Sequence, residues 1–129
     1  MKHTHATIAA AALIACTGAW AQSQPLPQDI SGRWAVHGGR ATQTFALEGI
    51  QRQGDAAFTA KLTWWTMDSR CAVRGEPITG RITAAGLAFD AATKCDVPFS
   101  AELQRSADGW QGQATTHKPP LVTVDLKAN

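Results

Sequence analysis

Apolar and polar residues alternate in short runs along most of the chain, which is the pattern of β-strands that bury one face. Turn-forming residues, such as Gly38-Gly39, Gly49, Ala85-Gly86 and Asp108-Gly109, separate the runs. The pattern predicts eight strands, and no stretch of helical length repeats its apolar residues with a 3.6-residue period. The apolar positions of the predicted strands are, in chain order, Trp34 and Val36; Phe45 and Leu47; Phe58, Ala60, Leu62 and Trp64; Ile78, Gly80 and Ile82; Leu87 and Phe89; Val97, Phe99, Ala101 and Leu103; Trp110, Gly112 and Ala114; Val122, Val124 and Leu126.

The order of these strands predicts the fold class. Short connections between sequential strands favour antiparallel hairpins. Eight strands with one apolar face each can bury that face by closing on themselves, which also removes the exposed edges. We therefore expect an all-β fold, an eight-stranded antiparallel up-and-down barrel, with a β-sandwich as the alternative. The longest interruption of the alternation is residues 68–77, which include Cys71.

Aromatic residues dominate the predicted inward faces. An eight-stranded barrel is wide enough either to be filled by side chains or to hold one small ligand. The aromatic residues favour a filled interior, whereas Gly80, Gly112, Ala60 and Ala101 leave room for a small apolar pocket. The candidate lumen residues are Trp34, Phe58, Trp64, Phe89, Phe99 and Trp110, with Phe45 on the same faces.

The N-terminal residues have the layout of a secretory signal peptide. Lys2 precedes an uncharged apolar stretch at residues 6–15, and Ala19-Trp20-Ala21 has the small residues of a cleavage site. The stretch is shorter than the roughly 20 residues of a membrane-spanning helix. We therefore expect a signal peptide at residues 1–21, an extended proline-containing leader at residues 22–30 and the barrel domain at residues 31–129, with no transmembrane segment in the mature chain.

A second processing route is indicated by Leu13-Ile14-Ala15-Cys16, which resembles the lipobox of bacterial lipoproteins. Lipid on Cys16 would anchor the domain to a membrane, since each buried CH₂ contributes about 0.8 kcal/mol. The cleavage site at Ala19-Trp20-Ala21 favours the soluble route. We expect a periplasmic or secreted protein, with a membrane-anchored lipoprotein as the alternative.

Two cysteines remain after either processing step, Cys71 and Cys95. In an oxidising compartment an even number of cysteines indicates a disulfide, and closing this loop would stabilise the domain by about 3 kcal/mol. Two free thiols or a redox-active pair are the alternatives. Redox-active pairs usually have the C-x-x-C spacing, which is absent here.

Charge and motifs exclude several function classes. The whole sequence has a formal charge of +2, its basic residues are scattered, and we expect no nucleic-acid partner. His37 and His117 could join Asp29, Asp68, Asp96 or Asp125 in a metal or acid–base site, but nothing in their spacing requires one. The serines lack a nucleophile-elbow context and no phosphate-binding glycine loop is present. We expect no enzyme activity, no metal and no cofactor.

Gly32-Arg33-Trp34, at the start of the first predicted strand, resembles the G-x-W opening of calycin-type barrels: lipocalins, avidins and small bacterial metalloprotease inhibitors. The resemblance implies that Trp34 closes one end of the barrel. It also implies that residues 22–29 could be the leader that such inhibitors insert into a protease. The chain has no tyrosine, so no avidin-type biotin site is carried over.

The most unusual segment follows the third predicted strand. If Trp64 points inward, strict alternation turns Trp65 and Met67 outward, near Arg70 and Arg74. Tryptophan, methionine and arginine are enriched in protein interfaces, so these four residues are the candidate binding residues. A β-bulge that returns Trp65 to the core is the alternative. The sequence thus favours a module that binds a protein partner, such as a secreted protease, over a carrier of a small apolar ligand.

Overall fold

The chain folds into a closed barrel of eight antiparallel strands in up-and-down order, which confirms the predicted fold. The computed structural model describes residues 25–36, 42–66, 68–116 and 120–129. One 3₁₀ turn, Ser69–Cys71, follows the third strand. The strands are β1 Ile30–Val36, β2 Thr42–Gln53, β3 Ala57–Trp64, β4 Val73–Ile82, β5 Gly86–Ala92, β6 Pro98–Ser106, β7 Gly109–Thr115 and β8 Leu121–Ala128.

The predicted end of the second strand at Gly49 is wrong. Gly49 lies inside β2 with a positive φ of 61°, at a register shift against β3 between Glu48 and Gln51. A glycine can adopt this left-handed conformation, so the strand bends there and continues. The turn comes at Gly54, which has a φ of 70°.

The predicted interruption at residues 68–77 is too long, because β4 begins at Val73. A register shift between Leu62 and Trp64 lets Val73 lie opposite Trp64 on the inner face. Arg74 and Pro77 interrupt the alternation of apolar and polar residues in the sequence, although both belong to β4.

The interior is built around a chain of aromatic contacts. Trp34 stacks on Phe45 with 4.1 Å between ring centroids, and Trp64 lies edge-on to Phe99 at 4.3 Å. Trp34 and Trp64 are 6.5 Å apart, so the four rings form one cluster. Five of the six predicted lumen residues are buried; Trp110 is half-buried at the edge of the core.

The room expected beside the small inward residues is occupied. A Cβ atom at Gly80 would lie 2.4 Å from the Phe58 ring and 2.7 Å from the Ala88 carbonyl oxygen. At Gly112 it would lie 2.4 Å from the Glu102 carbonyl oxygen. The glycines therefore allow close approach of neighbouring groups and do not create a pocket.

The barrel has two narrow seams. Among the described residues, strands β4 and β5 pair only at Arg81–Ala88 and Ile82–Leu87, and β7 and β8 pair only at Gln113–Val122 and Ala114–Leu121. Each of the other neighbouring strand pairs has six or seven paired residues. The barrel thus consists of a five-stranded sheet, β8-β1-β2-β3-β4, and a three-stranded sheet, β5-β6-β7, joined at these seams.

Residues 25–29 precede β1 and are bound to the barrel end where the C-terminus lies. The amides of Gln28 and Asp29 donate to the Asn129 carbonyl at 2.5 and 3.2 Å, and the Ile50 amide donates to the Gln28 carbonyl at 2.9 Å. Leu26 is half-buried against the core. The second half of the predicted leader is therefore held by backbone hydrogen bonds and by packing.

Candidate functional site

Trp65 is the most exposed aromatic residue that the structure describes. It follows Trp64, which is buried, and 44% of Trp65 is accessible to solvent. The Trp65 amide donates to the Thr44 carbonyl at 2.9 Å, so the pairing between β2 and β3 continues for one residue past the end of β3. This hydrogen bond fixes the backbone from which the exposed ring projects. The ring remains outside although a register shift lies beside it.

Arg74 lies against the Trp65 ring. Its guanidinium carbon is 4.5 Å from the ring centroid, within the range of cation–π attraction. Gly75 follows in β4 with a φ of 62°, and its amide donates to the Thr63 hydroxyl at 3.0 Å. This local bulge in β4 brings Arg74 beside Trp65, which strict alternation would not predict.

Arg70 is engaged within its own turn. Asp68 caps the 3₁₀ turn, and its carboxylate accepts hydrogen bonds from the Arg70 amide at 3.0 Å and from the guanidinium at 3.0 and 3.1 Å. The side-chain bonding to the Arg70 guanidinium and, after it, the bond from the Arg70 amide lower the pKa of Asp68. The side-chain bonding to Asp68 raises the pKa of Arg70. Arg70 therefore stabilises the 3₁₀ turn, and its guanidinium is already hydrogen-bonded to Asp68.

We call residues 65–74, without residue 67, the rim. The rim ends are fixed by β3 and β4, and its middle by the disulfide between Cys71 and Cys95, whose Cα atoms are 4.9 Å apart. The Lys94 amide also donates to the Cys71 carbonyl at 3.1 Å. The predicted disulfide is confirmed, and it joins the rim to the turn between β5 and β6.

The structure brings two of the four candidate binding residues together. Trp65 and Arg74 form one exposed pair, and Arg70 is bound to Asp68. Met67 lies outside the described residues, as do His37, His117, Cys16 and the whole of residues 1–24. The predicted signal peptide and the predicted lipidation thus concern residues that the structure does not describe.

The interior offers one polar contact that the sequence pattern did not reveal. Gln43 lies on the inner face, and its side-chain oxygen accepts a hydrogen bond from the Trp64 indole N–H at 2.7 Å. A buried indole usually finds such a partner. Gln43 lies two residues before Phe45, so the period-two alternation places it on the inner face. The pattern does not show that Gln43 is the hydrogen-bond partner of Trp64, because the two residues lie on different strands.

The described surface includes the following three grooves. One of about 570 Å³ lies beside Gly49 and Pro77, and one of about 360 Å³ lies over Gly112 and Thr123. The third, of about 380 Å³, lies between β4 and β5 above Leu62 and Val73. None of these three described grooves is lined by the candidate lumen aromatic residues.

Titratable groups elsewhere on the described barrel form exposed pairs. The Asp90 carboxylate accepts a hydrogen bond from the Ser100 hydroxyl at 2.6 Å and one from Arg81 at 3.2 Å, and these contacts, the one from Ser100 first, lower its pKa. The described residues contain no group of three or more His, Cys, Asp and Glu side chains that could bind a metal ion. Within the same residues, no helix is long and apolar enough to cross a membrane.

Comparison with protein-family models, with curated proteins and with solved structures gives no match for this chain. The geometry of the barrel and its rim is therefore the basis for any functional conclusion.

Proposed function

We propose that the chain is an exported small β-barrel module that binds a periplasmic or secreted protein through its rim. The observation that carries the proposal is the exposed pair of Trp65 and Arg74, 4.5 Å apart, on a loop fixed by a disulfide. Tryptophan and arginine are the residue types most enriched among interface residues that dominate binding energy.

The rim is suited to binding because its described residues are held by contacts within the barrel. The Trp65 amide is bound to Thr44, Arg74 lies on the ring, and Arg70 is held by Asp68. Association loses affinity when flexible side chains and loops must be ordered. A loop that is already fixed avoids much of this cost, so a small contact surface can still bind.

Two binding surfaces follow from the sequence, and the structure favours the rim over the leader. Leu26 packs on the core, and Gln28 and Asp29 form backbone hydrogen bonds with Asn129. Insertion of these residues into a protease cleft would break the contacts. Trp65 and Arg74 can bind a partner without such a rearrangement.

A calycin-type assignment is part of this proposal. It is supported by the closed up-and-down barrel and by the burial of Trp34, whose ring stacks on Phe45. Gly32 has a packing role in the same motif, since a Cβ atom there would lie 3.0 Å from Leu126 Cδ1. A side chain at position 32 would therefore require Leu126 and Phe45 to shift.

Export is the second part of the proposal, with cleavage after Ala21 or with lipid on Cys16. The Cys71–Cys95 disulfide supports an oxidising compartment, because cytosolic proteins are usually kept reduced. Mass spectrometry of the protein purified from a bacterial host tests both routes. A first residue of Gln22 supports the soluble route, and a diacylated Cys16 supports the anchored one; retention of residues 1–21 in the cytoplasm contradicts export.

Photocrosslinking in the native compartment tests binding through the rim. A photoreactive phenylalanine derivative at Ser69, which is exposed in the 3₁₀ turn, places the reactive group in the rim without replacing Trp65. We expect one discrete protein adduct from position 69. The same group at Gln111, exposed on β7, is the control and should give no such adduct.

The adduct must also depend on the proposed contact residues. Replacement of an interface tryptophan commonly weakens binding by about 2 kcal/mol or more, so Trp65→Ala should remove most of the adduct, and Arg74→Ala should reduce it. An adduct that survives Trp65→Ala contradicts binding through the rim. An absent adduct together with an apolar molecule extracted stoichiometrically from the purified barrel would favour the carrier function instead.

A further inference from the structure

The seam between β4 and β5 lacks most of the backbone pairing of its neighbours. It contains two residue pairs, whereas the seams on either side of it contain seven each. Beyond Arg81 and Ala88, towards the end of the barrel that includes the rim, no further residue pairs join the described residues of the two strands. The groove of about 380 Å³ lies in this gap, bordered by residues 76–79 of β4 and residues 90–92 of β5.

Side chains close the gap where backbone pairing stops. Arg81 and Asp90 form an ion pair at 3.2 Å near the paired end, and Glu76 and Lys94 form one at 2.5 Å further along. All four side chains are about half exposed or more, and exposed ion pairs contribute little to stability. Among the described residues, the strongest link at the open end of the seam is therefore the covalent bond between Cys71 and Cys95.

The floor of the groove is apolar and belongs to the core. Leu62 and Val73 are buried, and Ile78 and Ala91 are half-buried against the core. Separation of β4 from β5 would expose these side chains. The separation would end near Gly80, where Phe58 and the Ala88 carbonyl pack too closely for even a Cβ atom.

The disulfide is open to chemical attack. Cys95 is exposed in the turn after β5, and Cys71 is half-buried. A dithiol reductant can attack one sulfur as a thiolate, which breaks the S–S bond and forms a mixed disulfide. Its second thiol then displaces the remaining cysteine, so that the reductant leaves as a disulfide and both protein cysteines become thiols with the protons of the dithiol.

We propose that the Cys71–Cys95 disulfide is a redox-sensitive latch that keeps the β4–β5 seam closed. Reduction opens the rim end of the seam, exposes the apolar floor at Leu62 and Val73, and leaves the rest of the barrel folded. The hydrogen bond from the Lys94 amide to the Cys71 carbonyl is lost in this step. The proposal concerns the seam itself and does not depend on the identity of any partner of the rim.

Hydrogen exchange measured by mass spectrometry on the oxidised and reduced forms of the whole mature protein tests the latch. After reduction we expect the peptides spanning residues 69–77 and 89–97 to exchange at least tenfold faster. The peptides of β6 and β7, which are joined by seven residue pairs, should exchange as before. Binding of an apolar fluorescent dye should rise at the same time.

Two results would overturn the latch. Unchanged exchange at residues 89–97 would mean that the seam remains closed without the disulfide. Equal acceleration throughout the barrel would mean that reduction unfolds the domain. The Cys71→Ser/Cys95→Ser variant lacks the disulfide without any reductant, so it should reproduce the local opening. Glu76→Gln removes only the neighbouring ion pair, so it should change the exchange rates less than twofold. If the cysteine variant does not fold, wild-type protein reduced after folding still decides between these results.

Discussion

The two narrow seams of the barrel are closed by different means, although each contains only two backbone residue pairs. At the β4–β5 seam the links include a disulfide, the hydrogen bond from the Lys94 amide to the Cys71 carbonyl, and two exposed ion pairs. At the β7–β8 seam the Gly112 amide donates to the Thr123 hydroxyl at 2.9 Å, where a backbone partner would be expected. Both seams therefore depend on side chains.

The β7–β8 seam is also crossed by the segment before β1. The Arg105 guanidinium on β6 donates to the Pro25 carbonyl at 2.5 Å and lies 5.1 Å from the centroid of the Trp110 ring. Gln28 is bound to Asn129, just after β8. Residues 25–28 thus extend from the three-stranded sheet to the five-stranded sheet. One seam is thus closed mainly by a covalent bond and the other mainly by a packed segment of chain.

The largest effect is expected from removal of the covalent link. Closing a loop with a sequence separation of 24 residues should stabilise the domain by about 3 kcal/mol. Replacement of Cys71 and Cys95 by serine should lower the free energy of unfolding by that amount, as measured by urea denaturation. A loss under about 1 kcal/mol would mean that the disulfide is not the main stabilising link at this seam.

A smaller effect is expected at the other seam. Leu26→Ala removes a half-buried side chain, so it should lower the free energy of unfolding by about 1–2 kcal/mol, less than for a fully buried leucine. The matched control is Gln28→Ala, because it keeps the backbone hydrogen bonds to Asn129 and Ile50 and removes only an exposed side chain. Equal urea midpoints for the two variants would show that residues 25–28 are held by their backbone alone.

The smallest effect is expected from the contacts of Asp90 with Arg81 and Ser100, and this effect depends on pH. The pKa of Asp90 is lower in the folded barrel than in the unfolded chain. The ionised carboxylate therefore contributes fully to the free energy of unfolding above the ordinary pKa of a carboxyl group, about 4. This contribution is lost as the pH falls through the lower pKa of the folded state. Asp90→Asn should therefore lower the urea midpoint slightly at pH 7, and the difference should shrink at low pH as Asp90 is protonated.

Asp55→Asn, in the exposed turn after Gly54, is the control for the pH series. It should follow the wild-type midpoint at both pH values. A difference between Asp90→Asn and wild type that persists undiminished at low pH would mean that the carboxylate charge does not stabilise the β4–β5 seam. The loss would then come from altered packing or hydrogen-bond geometry.

The candidate rim was only partly predictable from the sequence. Alternation after Trp64 was enough to turn Trp65 outward, and the structure has Trp65 exposed. The pairing of Trp65 with Arg74 depends on the bulge at Gly75, and the engagement of Arg70 depends on the cap formed by Asp68. The positions of these side chains depend on a bulge and on a turn cap. A pattern of alternating residues does not specify either feature.

The sequence by itself determined the number of strands, the residues on most inner faces and the disulfide, because alternation and cysteine number are properties of short stretches or of the whole composition. Tertiary structure decided where β2 ends and where β4 begins, since Gly49 and Val73 take their roles from the register of neighbouring strands. Tertiary structure also decided that neighbouring groups such as the Phe58 ring occupy the space beside the inward glycines. It likewise decided that two seams have few residue pairs. Closure and register depend on contacts between residues far apart in the chain, and such contacts leave no periodic signal along it.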